Sequence, residues 1–169
     1  ISFRKGIYDL LDMLKENKDF FEERIFLRVG GNLVDGNIDL YIAKNGLSSF
    51  VQYEGWISGS KKTECLNWAD LYILPSYNEG LPIAILEAMS YSHPIISTNV
   101  GGIPEVLHTH ENGILIEPGN AEQIKAAVSF FVDYPQKIQE YGENAYVKVQ
   151  PFFSDNVCKK LSEIYIQVL

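Results

Sequence analysis

Short apolar runs separated by amphipathic stretches of helical period constrain this chain more than any other feature. The runs are Ile25–Val29, Val51–Tyr53, Leu71–Leu74, Ile95–Thr98 and Ile114–Ile116. They read as largely apolar rather than alternating, as strands do when helices cover both faces of their sheet. Between and after them, Gly6–Glu16, Gly36–Lys44, Lys61–Trp68, Pro82–Ser92, Ala121–Val132, Pro135–Val147 and Asp155–Val168 carry helical patterns. Repeated βα order predicts right-handed crossovers and a Rossmann-like, doubly wound, mostly parallel α/β sheet, with ligands at the C-terminal strand edge. The first strand of such a fold is largely missing, since only Ile1–Lys5 precede the first helix. From Pro135 onward the chain reads as a helical appendage, broken at Pro151-Phe152-Phe153 and directed toward a neighbouring domain.

Charge and cysteine usage narrow the function classes. Fourteen Lys and Arg against 22 Asp and Glu leave a formal charge of −8. That argues against non-specific nucleic-acid binding, which draws on clustered basic charge. Cys65 and Cys158 stand far apart without CxxC or CxxH spacing, so they read as reduced thiols. His108 and His110 lie in a turn-like Thr-His-Glu-Asn-Gly segment, His93 reads as a turn residue before Pro94, and none has metal-ligand spacing. No apolar run reaches the ~18 to 20 residues of a membrane span. A start at Ile1 without Met reads as a piece of a longer polypeptide.

The densest chemistry lies in Leu71-Tyr-Ile-Leu-Pro-Ser-Tyr-Asn-Glu-Gly-Leu-Pro-Ile-Ala-Ile-Leu-Glu-Ala-Met89. A strand runs into Pro75, a polar turn follows, and Pro82 is expected at the first position of a helix. The backbone N–H groups of Gly80 and Leu81 then face the open sheet edge, an arrangement that favours an anion. Glu87 sits in a helix apolar nearly all round, where a carboxylate requires a hydrogen-bonding partner. Glu79 and Glu87 are separated by roughly 8 Å along the axis, at ~1.5 Å per residue for the helical part. Two carboxylates so spaced could hold the ends of one polyhydroxylated ligand across a diphosphate. In the blander alternative Glu79 solvates a loop and Glu87 accepts a hydrogen bond within the core.

This stretch closely resembles the E-x7-E signature of the retaining GT-B glycosyltransferases of family 4. Pro75-Ser76 precedes the first acid, Glu79, and Gly80 follows it; Glu87 is the second acid. The resemblance runs in order across nearly the whole chain. It implies that Glu79, Gly80 and Leu81 contact the donor sugar and that Glu87 binds the nucleotide ribose. Arg4-Lys5-Gly6 resembles the family's basic element, which implies that Lys5, with Arg4 beside it, neutralises the donor diphosphate and serves the reaction together with Glu79. The family's further Arg, on the strand before this element, lies upstream of Ile1.

Val29-Gly30-Gly31-Asn32 matches the family's glycine-rich turn, and both nucleotide contact and ordinary turn geometry fit it. Gly31 and Gly36 have P-loop spacing, yet Asn37-Ile38 stands where Lys-Ser/Thr is required, and no G-x-G-x-x-G exists. Tyr53-Glu54-Gly55-Trp56-Ile57 matches the family's nucleobase-reading segment, so Trp56 or Ile57 is a candidate to pack on the base. Val100-Gly-Gly-Ile-Pro-Glu105 resembles a further family element and reads as structural, with both glycines at positive φ. Lys61-Lys62 and Lys159-Lys160 read as solvated helix faces.

The resemblance implies the C-terminal half of a GT-B enzyme. Residues 1–150 would be the donor-binding domain, and 151–169 a helix packing toward the enzyme's own N-terminal domain through Val157, Leu161, Ile164 and Val168. The whole enzyme would transfer a sugar from a nucleotide-diphospho-sugar to an acceptor hydroxyl with retention, in bacterial polysaccharide synthesis, while the piece alone would be inactive. With no Asp-x-Asp pair in the chain, donor binding is expected without metal or cofactor. A cytoplasmic location is expected, with peripheral contact to the inner face of the membrane through the N-terminal domain. The rivals are a GT-B nucleotide-sugar 2-epimerase and a non-catalytic flavodoxin-like interaction domain.

Overall fold

Five parallel strands form the floor of the molecule in the computed structural model, which describes residues 2–168, with side chains described as far as Ile166. They are β1 (Leu27–Gly30), β2 (Val51–Gly55), β3 (Tyr72–Leu74), β4 (Ile95–Thr98) and β5 (Gly113–Ile116). The helices are α1 (Ile7–Glu16), α2 (Lys18–Phe21), α3 (Ile38–Lys44), α4 (Gly59–Trp68), α5 (Ile83–Ser90), α6 (Ile103–Val106), α7 (Ala121–Asp133), α8 (Gln136–Val149) and α9 (Ser154–Val168). Asn37 and Asn120 cap α3 and α7, each accepting a backbone N–H three residues on. The fold is the α/β architecture of the C-terminal, Rossmann-like half of GT-B proteins, with parallel strands flanked by helices.

The pairing divides the strands into two groups, β1–β2 and β3–β4–β5, parallel throughout. Strand β4 shows how the groups are covered. Ile95 packs into a core with Ile85, Met89 and Val106, whereas Ile96 packs into another with Leu11, Leu14 and Phe131. Adjacent strand residues point to opposite faces, so the two isoleucines serve the two helical layers.

Three expectations change. Helix α8 is no appendage: Tyr141, Gly142, Ala145 and Val149 are buried, and a Cβ on Gly142 would stand 2.0 Å from the Ser92 carbonyl oxygen. Helix α9 projects instead, with Val157, Leu161 and Ile164 exposed; the Val168 side chain lies outside the described residues. Pro82 is the N-cap of α5 in extended backbone rather than its first helical residue. His93 is buried beyond its turn, its Nε2 2.7 Å from the Leu66 carbonyl oxygen, and burial holds its imidazole below the usual pKa.

Candidate functional site

The C-terminal end of β3 organises the site. Ser97 Oγ donates to the Leu74 carbonyl and Thr98 Oγ1 to the Ser76 carbonyl, each at 2.6 Å, which fixes the exit of β3 against β4. The chain start is fastened to the same place. Tyr77 N–H donates to the Arg4 carbonyl at 2.8 Å, and Gly6 takes φ +66° with its α-carbon so close to Pro75 that a Cβ would lie 1.9 Å from the Pro75 oxygen. Only glycine meets both demands. The result brings Lys5 Nζ to 2.6 Å from Glu79 Oε1, with the Glu79 side chain 10% exposed and that of Lys5 35%.

The Glu79–Gly80 backbone rests on the Gly101-Gly102 turn. Gly102 N–H donates to the Gly80 carbonyl at 2.8 Å, and a Cβ on Gly101, at φ +55°, would lie 2.0 Å from the Glu79 oxygen. Gly102 itself has φ −85°, so only Gly101 of the pair takes the positive φ expected of both. Space around Gly80 is open, and among the described residues the N–H groups of Gly80 and Leu81 donate to no protein acceptor. An incoming anion or hydroxyl would find both donors free.

Glu87 lies on α5, with 36% of its side chain exposed rather than desolvated, and Lys62 Nζ of α4 donates to its Oε1 at 2.5 Å. Lys62 is therefore not a merely solvated charge, and neither is Lys61, 2.8 Å from Glu54 Oε2. Tyr72, which sequence reasoning passed over, lies within electrostatic reach of both acids. Burial first, and then the Glu87 and Glu79 carboxylates, push its phenol up to about 12. A tyrosine in a three-residue strand offers no sequence signal beyond its neighbours' hydrophobicity.

The other candidates stand on the β1–β2 group. Ile57 packs over Gly30, where a Cβ would be 2.0 Å from its Cδ1. Gly31 at φ +139° donates its N–H to the Gly55 carbonyl at 2.8 Å and accepts from the Tyr53 hydroxyl. Turn geometry thus favours glycine at 31 before any ligand is considered, whereas at 30 a Cβ would meet only the Ile57 side chain. Trp56 is 65% exposed beside this turn. Arg4 does not join Lys5; it lines a separate hollow with Phe3, Tyr8, Asp9 and Tyr77.

Residues 1–148 match the family described as "Glycosyl transferases group 1". This chain belongs to that family. The amylovoran biosynthesis glycosyltransferase AmsK of Erwinia amylovora is 26% identical over 159 residues, covering 90% of this chain and 38% of its own length. Among solved structures, sucrose-phosphate synthase from Thermosynechococcus elongatus superposes with a TM-score of 0.84 at 22% identity, covering 99% of this chain and 43% of that one. HepE of Anabaena, solved in complex with UDP and glucose, gives a TM-score of 0.80 at 22% identity, covering 96% and 46%. This group 1 glycosyl transferase chain thus spans less than half the length of each of these relatives.

Proposed function

We propose that the chain is the donor-binding half of a retaining GT-B glycosyltransferase of family 4, with Glu79 and Glu87 as the acids of an E-x7-E signature. The longer enzyme would transfer a sugar from a nucleotide-diphospho-sugar to an acceptor hydroxyl in bacterial polysaccharide synthesis. One observation carries this reading: Lys5, Glu79 and the free amides of Gly80 and Leu81 meet at the C-terminal end of β3, with Glu87 one helix away.

In this reading the donor diphosphate draws the Lys5 ammonium from Glu79, and the released carboxylate accepts sugar hydroxyls. Glu87 accepts ribose hydroxyls beside Lys62, and the Gly30-Gly31 and Gly55-Trp56-Ile57 turns meet the nucleobase. Rate acceleration comes from positioning and from fixed donors aimed at the charge that grows on the departing diphosphate. Lys5 and the backbone amides supply that charge stabilisation, so donor binding needs no metal. The acceptor site belongs to an N-terminal domain of the longer polypeptide, through which the enzyme touches the inner face of the membrane from the cytoplasm.

Calorimetry of the longer polypeptide against UDP-, GDP- and ADP-sugars tests the reading. One nucleotide series should bind, and Lys5→Met should weaken it at least about tenfold, as loss of a charge-assisted contact does. A folded protein that binds none of the three series overturns it. Sugar transfer by the 169-residue chain alone would show that the active site is misplaced.

A further inference from the structure

Given the donor-binding reading of Glu87, we propose that Lys62 is a positioning residue for the ribose end of the site. It holds the Glu87 carboxylate by one oxygen, so that the other meets a ribose hydroxyl. Helix α5 leaves this acid without support of its own. Glu87 begins the last turn of α5, none of whose residues is basic, and a negative charge is disfavoured at that end of a helix. The cation comes from α4 instead, where Lys62 Nζ donates to Glu87 Oε1 at 2.5 Å. Among the described residues Oε2 accepts no hydrogen bond, and the side chain is 36% exposed. One oxygen is held and the other is open to a ligand.

The position of Lys62 is itself fixed. No residue of α4 is fully buried, so polar contacts join Leu66, packed against the α5 core, in setting where the helix lies. The preceding residue, Lys61, pairs with Glu54 Oε2 at 2.8 Å, and Glu54 leads into the Gly55-Trp56-Ile57 turn. Successive helical residues point about 100° apart, so the two lysines reach different elements, β2 in one case and α5 in the other. Helix α4 therefore ties the turn assigned to the nucleobase to the acid assigned to the ribose. A long side chain ordered only on binding costs about two- to tenfold in affinity, and Lys62 makes that ordering part of the fold. It also offsets the repulsion between Glu87 and an incoming diphosphate. The phosphates have their own donors, since Lys5 beside Glu79 and the amides of Gly80 and Leu81 precede the first turn of α5. Lys62 stays with Glu87 while Lys5 changes partner.

Calorimetry on the longer polypeptide, with UDP, GDP and ADP as probes, tests the donor site and Lys62 separately. Binding by the unaltered protein tests the donor site, and folded protein that binds none of the three overturns both. With the diphosphate that binds, Lys62→Met should weaken affinity about two- to tenfold. Lys62→Arg, which keeps the cation, should retain most of it. Lys137→Met removes an equal charge from a pair with Glu140 on α8 and should leave affinity unchanged. The decisive comparison is made in a Glu87→Gln background, where Lys62→Met should cost less than about twofold more. The same loss with and without Glu87 would mean that Lys62 touches the nucleotide itself, and it overturns the proposal. Unchanged affinity in Lys62→Met overturns it too, and a rise would make Lys62 a competitor of the ribose and overturn it as well. If Lys62→Met does not fold, Lys62→Gln carries the same comparisons.

Discussion

Lys5 and Glu79, 74 positions apart in sequence, form an ion pair at 2.6 Å across the end of β3. The cation read as the diphosphate ligand and the carboxylate read as the sugar ligand are thus each other's partners before any donor arrives. Replacing one changes the electrostatics of the other, and this shapes what each substitution should do.

Glu79→Ala removes the competitor for Lys5. Affinity for the free nucleoside diphosphate should hold or rise, while the extra affinity contributed by the sugar should fall. Glu87→Ala should weaken sugar-bearing and sugar-free nucleotides alike, by about 1 to 3 kcal/mol for hydrogen bonds to a charged group. Calorimetry on the two variants with two ligands separates them. Equal loss of diphosphate binding in both would mean that the acids do not address opposite ends of one donor.

Gly101→Ala tests the backbone under the sugar side without touching a carboxylate. The added Cβ meets the Glu79 carbonyl oxygen at 2.0 Å and sits at φ +55°. Gly59→Ala is the control, since φ is +53° there and nothing lies within 4 Å. The control should cost about 1 kcal/mol, the conformational penalty alone. Gly101→Ala should cost at least about 2 kcal/mol more, because a backbone clash adds to that penalty, and it should also reduce sugar-dependent affinity. Urea denaturation read by circular dichroism compares the two.

Lys62→Met probes the Glu87 pair. The side chains are 44% and 36% exposed, so water screens the attraction even at 2.5 Å. Stability should change by less than about 1 kcal/mol, as for other exposed pairs. A loss above about 2 kcal/mol would show that the pair closes away from water in solution.

Glu54 carries the pH dependence. Its side chain is 4% exposed, 2.6 Å from Arg28 Nε and 2.8 Å from Lys61 Nζ. Hydrogen bonds from Arg28, then from Lys61, hold its carboxyl below the ordinary value of 4.5. A depressed carboxylate stabilises the fold fully above its unfolded pKa, and the contribution fades as pH falls through the folded value. Stability should therefore decline below pH ~4.5, and Glu54→Gln should flatten part of that decline. At neutral pH the variant should lose about 2 kcal/mol, less than a fully buried pair because Arg28 keeps Glu64 at 3.2 Å. Urea melts from pH 3 to 7, on the order of one per half unit, give both numbers.

Local pattern determined the elements. Ile95–Thr98 appears in the fold with the bounds read from its apolar run. The Glu79-Gly80 turn was legible too, because Pro75, Gly80 and Pro82 punctuate the chain within a few residues. Helices α2 and α6 were not, since four residues complete scarcely one turn and display no period. The helical pattern of Pro135–Val147 was legible, and only packing decided that this helix lies on this domain's own surface, burying Tyr141, Ala145 and Val149, with Gly142 against Ser92. The same holds for charge. The sequence supplied Lys5, Lys62, Glu79 and Glu87, but a side chain's partner depends on which strand ends meet, and that is decided by contacts between residues far apart in the chain. The periodicities of 2 and 3.6 act over a few neighbours, whereas ion pairs and glycine clearances are set by tertiary packing.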